Sequence, residues 1–423
     1  MKTVQYEPSR DLPVLHEADV IVVGGGPGGL GAAVMAARCG AQTLLIERYG
    51  FLGGMASVGE IHPFMGNHVD GQPLDQPVYT DWIAKMAAYT GQRDPGQISK
   101  DVAMLAAEDL CLEAGVRLLF HHQLADVIRS GPHIDALVLF SKSGYTAAQS
   151  RVYIDCTGDA DLAARAGVPY EQGGPSGHCQ PMTLCFKLSH VDRARMPDRQ
   201  TITRLYHEAK ARGEIECPRE DVLWFTWLDD DVIHFNTTRV IHRSGTDGDD
   251  LSAAEIEARR QLRQYLQFLR ARVAGFEHAQ IHSIAHHIGV RESRRIHGRA
   301  TLTREAFTQA RKFPDAIARV RYPIDIHNPD GSGTEHQNLP EGQWYEIPYG
   351  CIVPQAVDNL LVGGRPISVD HAIHSSMRVM PPACSVGQAA GAAAALAAAQ
   401  GVRPRDLDGI AVRQALVAHG ARL

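Results

Sequence analysis

The stretch ADVIVVGGGPGGLGAAVMAARCGAQTLLIERYGFLGGMAS, residues 18–57, runs from an apolar segment through a glycine cluster into small residues. A second apolar run then closes on Glu47. Residues 19–24 read as a strand buried on both faces, as in a parallel sheet. Residues 28–39 suit a helix lying close to that sheet, Gly40 stops it, and AQTLLIE is the next strand. The spacing predicts a β-α-β unit. Gly24, Gly26 and Gly29 place G-x-G-x-x-G at its first turn. The first glycine allows the turn, the second lets the backbone approach a pyrophosphate, and the third lets helix and strand pack. Free N–H groups at the helix start attract anionic phosphates. Glu47 ends the second strand, where a carboxylate can accept from ribose hydroxyls. In this context the pattern predicts a bound dinucleotide; G-x-G-x-x-G without its strands and carboxylate would be a glycine-rich turn.

Outward from this unit, helical spacing of apolar residues predicts a helix over 97–114, and VRLLFHH (116–122) and RVYIDCTGD (151–159) read as further strands. Between them ALVLF and SKSGYTAAQ read as a hairpin strand and its turn. The texture changes after about residue 166. MTLCFKLS (182–189) alternates, and DVLWFTWL and VIHFNTT flank the acidic turn Asp229–Asp230–Asp231, which predicts an antiparallel sheet. Residues 251–273 form an amphipathic helix pattern with Ile256, Leu262, Leu266, Leu269 and Val273 as its stripe and Ser252 with Glu255 as a capping box. RSGTDGDD (243–250) reads as a surface loop. DNLLVGG (358–364) and the Gly/Ala-rich segment 381–400 then return to the strand and helix texture of the start. The reading is one discontinuous nucleotide-binding domain, residues 1–165 and 345–423, with a second domain inserted at 166–344.

The charge of −6 and the mixed distribution exclude the basic footprint of a nucleic-acid binder. Eight cysteines occur without a C-x-x-C pair, which argues against a zinc knuckle or a redox pair and fits a reducing cytoplasm. MKTVQYEPSRDLPV lacks the apolar core of a signal peptide. AAGAAAALAAA (389–399) is too short and alanine-rich for a membrane span, so a buried helix at close range is expected. The pairs His121–His122 and His286–His287 do not share one ligand direction, and H-E-x-x-H is absent, so no metal is expected.

The glycine motif does not choose between NAD and FAD. Three later segments favour FAD. ERYGFLGGMAS follows the acidic residue directly, and Gly53 and Gly54 would let that loop run along an extended ligand. IDCTGDADLAARAG (154–167) ends a strand in Thr157-Gly158-Asp159. DNLLVGGRPIS with RVMPPACSVGQAAGAAAALA supplies a second strand, loop and helix.

These segments, with IGVRESRRIHGRATLT (288–303), YPIDIH (322–327) and WYEIPYGCIVPQAVDNLLVGGR (344–365), resemble the bacterial FAD-dependent oxidoreductases of the glutathione-reductase-like superfamily. These are relatives of the fumarate reductase and succinate dehydrogenase flavoproteins. The resemblance spans nearly the whole chain and is weakest over roughly 190–280. It implies an α/β fold: a discontinuous Rossmann-like FAD-binding domain of glutathione-reductase type, with an inserted α+β substrate domain containing an antiparallel sheet. It places Gly24, Gly26, Pro27, Gly28 and Gly29 at the pyrophosphate, Glu47 at the adenosine ribose and Arg48 on the adenine side. Gly54, Met55 and Ala56 fall on the ribityl–flavin side, and Leu124 or Ala125 at the adenine. Gly158 and Asp159 lie in the family's T-G-D element, and Gly364 and Arg365 at the end of the late strand. Gly387, Gln388, Ala389 and Ala390 are placed at a helix start beneath the flavin, where the helix dipole would stabilise an anionic reduced ring.

For catalysis, the resemblance sets SVDHAIHSSMRVM (368–380) beside the flavin ring, which makes His371 and Arg378 the first candidates. A histidine there could carry a proton, and an arginine could hold a substrate carboxylate. The alternative is that both brace the loop. GVRESRRIHGR (289–299) reads mainly as an internal salt-bridge network, with Arg291 as the residue to test as a substrate contact. His62 reads as a residue lining the substrate space or a surface residue, and Tyr349 as a cavity or core residue.

The expected activity is hydride transfer between flavin N5 and a small organic substrate. A flavin monooxygenase, or the flavoprotein subunit of a multi-component electron-transfer complex, is the alternative. A small-molecule substrate, no nucleic acid and no membrane span are expected, with a homo-oligomer or an electron-transfer partner left open.

Overall fold

Val14–Val23 lies at the centre of a seven-stranded sheet. Val20–Val23 pairs in parallel with Thr43–Ile46 on one side and with Gly144–Asp155 on the other, and Arg117–Leu119 extends the parallel array beyond Thr43–Ile46. Val20, Ile21 and Val22 have no exposed surface, which is why this strand reads as a continuous apolar run. The computed structural model describes residues 11–91 and 99–423. Most of the signal-peptide reading and the first two residues of the 97–114 helix lie outside the described residues. Within them that helix is Lys100–Glu113, capped by the Ser99 hydroxyl, which accepts from Asp101 N–H.

The strand expected at 151–159 begins earlier, at Gly144, and SKSGYTAAQ is a turn only at its start. Strand Gly144–Asp155 changes neighbours along its length. Gly144–Ala148 pairs antiparallel with His133–Ser141, which in turn pairs with Gln123–Ser130. Tyr153–Asp155 pairs in parallel with Leu360–Val362. The late strand therefore completes the parallel array beside the three-stranded meander.

Helices Pro27–Arg38 and Met380–Gln400 cross at backbone contact on one face of this sheet. A Cβ on Gly31 would stand 2.2 Å from the Cys384 carbonyl oxygen, so the small-residue texture of both helices is a packing requirement. The tract read as too short for a membrane span belongs to this 21-residue helix, which has the length and hydropathy of a span. Its window is 89% buried within the protein, in keeping with a close-packed core helix.

A second, four-stranded antiparallel sheet runs Trp224–Thr226, Ile233–Phe235, Phe186–Ser189, Gln280–Ile284. Its hairpin spans the acidic turn, as the sequence predicts. One face, with Phe186, Leu188, Ile233 and Phe235, packs on helices Arg199–Ala211 and Gly248–Arg272. The opposite face carries the cross-strand row Phe225, His234, Lys187 and Ser283. Helix Gly248–Arg272 starts before the expected capping box. Asp247 caps it by accepting from Asp250 N–H, and the Ser252 hydroxyl donates to the Gly248 carbonyl instead. Residues 248–250, read as loop, are its first turn. Ile256 is 66% exposed, because the buried face runs through Ala258, Leu262, Tyr265 and Leu269. The antiparallel pair Ala316–Val320 and Tyr345–Pro348 contributes Val320, Tyr345 and Ile347 to the same core as the parallel sheet.

Candidate functional site

The carboxyl ends of the parallel strands converge on one cleft, the position where open α/β sheets bind ligands. Its walls are Gly24–Gly28, Glu47, Arg48, the Gly54–Met55 turn, Thr157–Asp159 and Gly363–Arg365. Gly24 holds φ +101°, and a Cβ on Gly29 would stand 1.7 Å from the Gly24 carbonyl oxygen, so the turn needs glycine at both positions. Among the described residues helix Pro27–Arg38 has no side-chain cap at Gly26, so its first-turn N–H groups can receive an anion. Glu47 is buried between two backbone donors: its Oε2 accepts from Gly25 N–H at 2.6 Å and its Oε1 from Tyr49 N–H at 2.9 Å. Burial raises its pKa against those hydrogen bonds. Beyond Glu47 the cleft continues into a recess lined by Arg48, His122, Leu124, Thr157 and Arg165. The uncapped amides, the glycine cradle and the carboxylate at the recess together suit an extended dinucleotide.

Of the two expected adenine contacts, Leu124 lines this recess, whereas the Ala125 carbonyl accepts from Arg165 Nε at 3.1 Å. Gly54 and Met55 line the cleft, while Ala56 is buried beneath it. Asp159 does not point at the cleft as an isolated acid. Its Oδ1 accepts from Arg365 Nη2 and from the Ser293 hydroxyl, both at 2.7 Å, which ties three segments together. Asp155 was not visible as functional in the sequence. It is fully buried and shapes the T-G-D turn by accepting from the Thr157 N–H, the Thr157 hydroxyl and Ala163 N–H.

The C-terminal placement needs correction. The late helix begins at Met380, and Met380 and Ala383 are the residues it gives to the cleft. Gly387, Gln388, Ala389 and Ala390 lie further along and are buried. Gly387 packs on Gly28, and the Gln388 amide accepts from Val78 N–H and donates to the Gln76 carbonyl. Small residues there answer to the helix crossing.

Met55, Val290, Arg365, Arg378 and Met380 also line a second cavity of about 630 Å³, which adjoins the cleft. Its far walls come from Ile61 and His62, from Phe225 of the antiparallel sheet and Asn236 just beyond its strand, and from the hairpin Ile324–His327/Thr334–Gln337. Arg291 faces this cavity. Its Nη1 donates to the Pro181 carbonyl at 2.7 Å and the Thr183 hydroxyl at 2.6 Å, and among the described residues it forms no ion pair. Burial and the nearby guanidinium groups of Arg378, Arg219 and Arg239 disfavour its charge. Arg378 is partnered: Nη2 donates to the Asp325 carbonyl at 3.2 Å and lies 3.5 Å from Asp325 Oδ2.

His371 is not part of this wall. Its Nδ1 lies 2.8 Å from Glu292 Oε1, and its ring packs over Gly174. Glu292, fully buried, also accepts from Arg295 Nη1 at 2.5 Å and Gln180 N–H at 3.0 Å. With Arg294 on Asp161, segment 289–299 is largely the internal network the sequence suggested; Arg291 stands outside it, and so does Arg299, which is exposed and donates to the Arg405 carbonyl. His62 does line the cavity. It is buried with neither ring nitrogen partnered among the described residues, and burial holds its pKa down to about 3. Tyr349 is a core residue whose hydroxyl donates to the Pro404 carbonyl.

A family model described as FAD dependent oxidoreductase matches residues 19–416. A dihydrolipoyl dehydrogenase of Trypanosoma brucei brucei is 51% identical over 45 residues, 11% of this chain and 9% of that protein. A thiamine thiazole synthase of Methanococcus vannielii is 31% identical over 213 residues, 50% of this chain and 67% of that protein. Among solved structures, a geranylgeranyl bacteriochlorophyll reductase-like protein from Thermoplasma acidophilum superposes with a TM-score of 0.46 at 13% identity, over 95% of this chain and 83% of the other. The family match takes in the glycine cradle, the late strand and both cavities between them, and so the chain belongs to the FAD-dependent oxidoreductases, enzymes with FAD as cofactor.

Proposed function

We propose that the enzyme transfers a hydride between FAD and a small organic substrate that carries a carboxylate. The observation that supports this reading is Arg291: a cation without an ion-pair partner among the described residues, facing a cavity that adjoins the nucleotide cleft. FAD, when bound, supplies the two-electron chemistry at its N5, while the chain supplies orientation and charge. Gly24–Gly29 and Glu47 hold the dinucleotide end. Arg291 offers its free guanidinium edge to a substrate carboxylate, and Arg378, fixed by Asp325, adds positive field from the hairpin side. His62 stays neutral and presents one donor and one acceptor, so it orients a substrate hydroxyl or carbonyl rather than titrating. Phe225 and Met55 exclude water from the apolar part of the wall.

The test is anaerobic visible spectroscopy of the FAD-loaded protein with a panel of small carboxylates and their uncharged amides. Carboxylates should perturb or bleach the flavin band, and Arg291→Met should abolish the response. Equal responses to acids and amides would refute the carboxylate assignment. Bleaching by NADH or NADPH alone would redirect the reading to a nicotinamide-fed reductase or monooxygenase.

A further inference from the structure

Away from the flavin chemistry, three side chains from separate segments meet at the surface. His178 closes the turn that begins at Gly173, His242 follows the Met182–Val240 bridge, and Asp330 sits at the tip of the hairpin Ile324–His327/Thr334–Gln337. Asp330 Oδ1 lies 2.6 Å from His178 Nδ1 and 3.3 Å from His242 Nε2. The two imidazole centroids are 4.5 Å apart, and one ligand atom from each of the three residues falls within 4.8 Å of the others.

The loops hold these groups in place. Gly174 N–H donates to the His178 carbonyl at 2.9 Å, and Asp330 N–H donates to Asn328 Oδ1 at 3.0 Å. His242 keeps φ at +57°, a region that costs an L residue free energy. Nitrogen and oxygen ligands about 2.0–2.1 Å from a tetrahedral ion stand about 3.3 Å from one another. Of the three separations, Asp330–His242 already matches, Asp330–His178 opens by less than an ångström, and the two histidine nitrogens, within 4.8 Å of each other, complete the triangle. Two imidazoles and one carboxylate suit Zn2+ or a similar borderline cation. Ca2+ and Mg2+ prefer all-oxygen shells.

We propose that His178, His242 and Asp330 bind one divalent transition-metal ion, with water completing its shell. The site clamps the hairpin tip from outside. The same hairpin carries Asp325, His327 and Thr334 into the cavity, and its Gly331 carbonyl accepts from Arg239 Nη1 at 3.0 Å. A bound ion therefore stiffens the substrate-side wall without touching it. The expectation of no metal rested on neighbouring histidines and on the lack of H-E-x-x-H and C-x-x-C patterns, whereas here the aspartate is 88 and 152 positions from the two histidines.

The FAD-loaded protein, stripped with EDTA and dialysed, is titrated calorimetrically with Zn2+, with Mg2+ and Ca2+ as controls. The expected result is saturation at one Zn2+ per chain, a higher melting temperature with Zn2+, and no response to the controls. His178→Ala, His242→Ala and Asp330→Asn should each lose the one-site isotherm and the Zn2+-dependent rise in melting temperature. His282→Ala, an exposed histidine on the antiparallel sheet, should keep both. Because the three ligands are exposed, the variants should melt like the parent without metal. The absence of saturable Zn2+ binding, its persistence in all three variants, or equal binding of Ca2+ would overturn the proposal.

Discussion

Gly387 lies against Gly28 so closely that a Cβ added to it would stand 1.9 Å from the Gly28 carbonyl oxygen. The contact joins the helix that opens the nucleotide cleft to the helix that closes the fold. Neither backbone can retreat, since Gly31 and Gly391 make equally close contacts in the same crossing. Gly387→Ala is expected to cost at least about 3 kcal/mol, the upper range for overpacking. Thermal denaturation and the FAD content of the purified protein measure it. Wild-type stability in this variant would mean that the helices can slide apart.

Glu47 receives two backbone N–H groups and borders the adenine-side recess. Glu47→Gln keeps the shape but turns one acceptor into a donor facing an amide. Loss of one charge-assisted hydrogen bond within the protein costs about 1.5–3 kcal/mol of stability, and the glycine turn that Glu47 holds should then bind FAD more weakly. Equilibrium dialysis of FAD reads this directly.

Arg291 is expected to separate binding from stability. Removing a half-buried cation that lacks an ion-pair partner among the described residues leaves no opposite charge there stranded, so Arg291→Met should melt at or above the parent temperature. Carboxylate binding should weaken by about 2 kcal/mol or more, roughly thirtyfold. A lower melting temperature with unchanged ligand binding would return Arg291 to a structural role.

His371→Gln should leave kcat and its pH profile in place, because the imidazole meets Glu292 and does not line the cavity. The melting temperature should fall by the equivalent of about 1–3 kcal/mol as Glu292 loses a partner. Loss of the acid or base limb of the profile would restore His371 as a proton carrier.

Asp75 gives a pH signature. Burial raises its pKa from 3.8 to about 7, although Asn67 and Ser385 donate to its Oδ1. Between those values the unfolded chain ionises while the folded one keeps the proton, so this residue makes stability fall as pH rises from about 4 to about 7. Asp75→Asn should remove that fall and raise stability at pH 8 by up to about 4 kcal/mol. Denaturant melts of both proteins across this range measure the difference.

The nucleotide cleft was legible because its parts are local: strand, glycine turn and Glu47 follow one another within thirty residues of chain. T-G-D and the late strand were legible as strand ends for the same reason. The sides taken by individual residues were not. His371 and Arg378 share one short segment, yet one turns to Glu292 and the other to Asp325. Which way each side chain points depends on carboxylates distant in sequence. Gly387 and its neighbours could be read as a cradle or as a helix contact, and only the partner helix decides. The buried imidazoles of His62 and His234, whose rings lie 5.8 Å apart, come together where an irregular segment meets the antiparallel sheet, a contact with no local signal.

The change of partners along Gly144–Asp155 has a consequence for the nascent chain. Its last residues wait for Leu360–Val362, which leave the ribosome only after the antiparallel sheet and both of its helices have been made. Until then the edge beside Tyr153 is an open parallel strand edge, and the glycine helix lacks the helix that covers it. Contacts of such long sequence separation form late and slowly. The cofactor cleft is therefore finished only once Leu360–Val362 has been made, and truncation before Leu360 leaves a chain with an unpaired apolar edge, prone to associate with other copies.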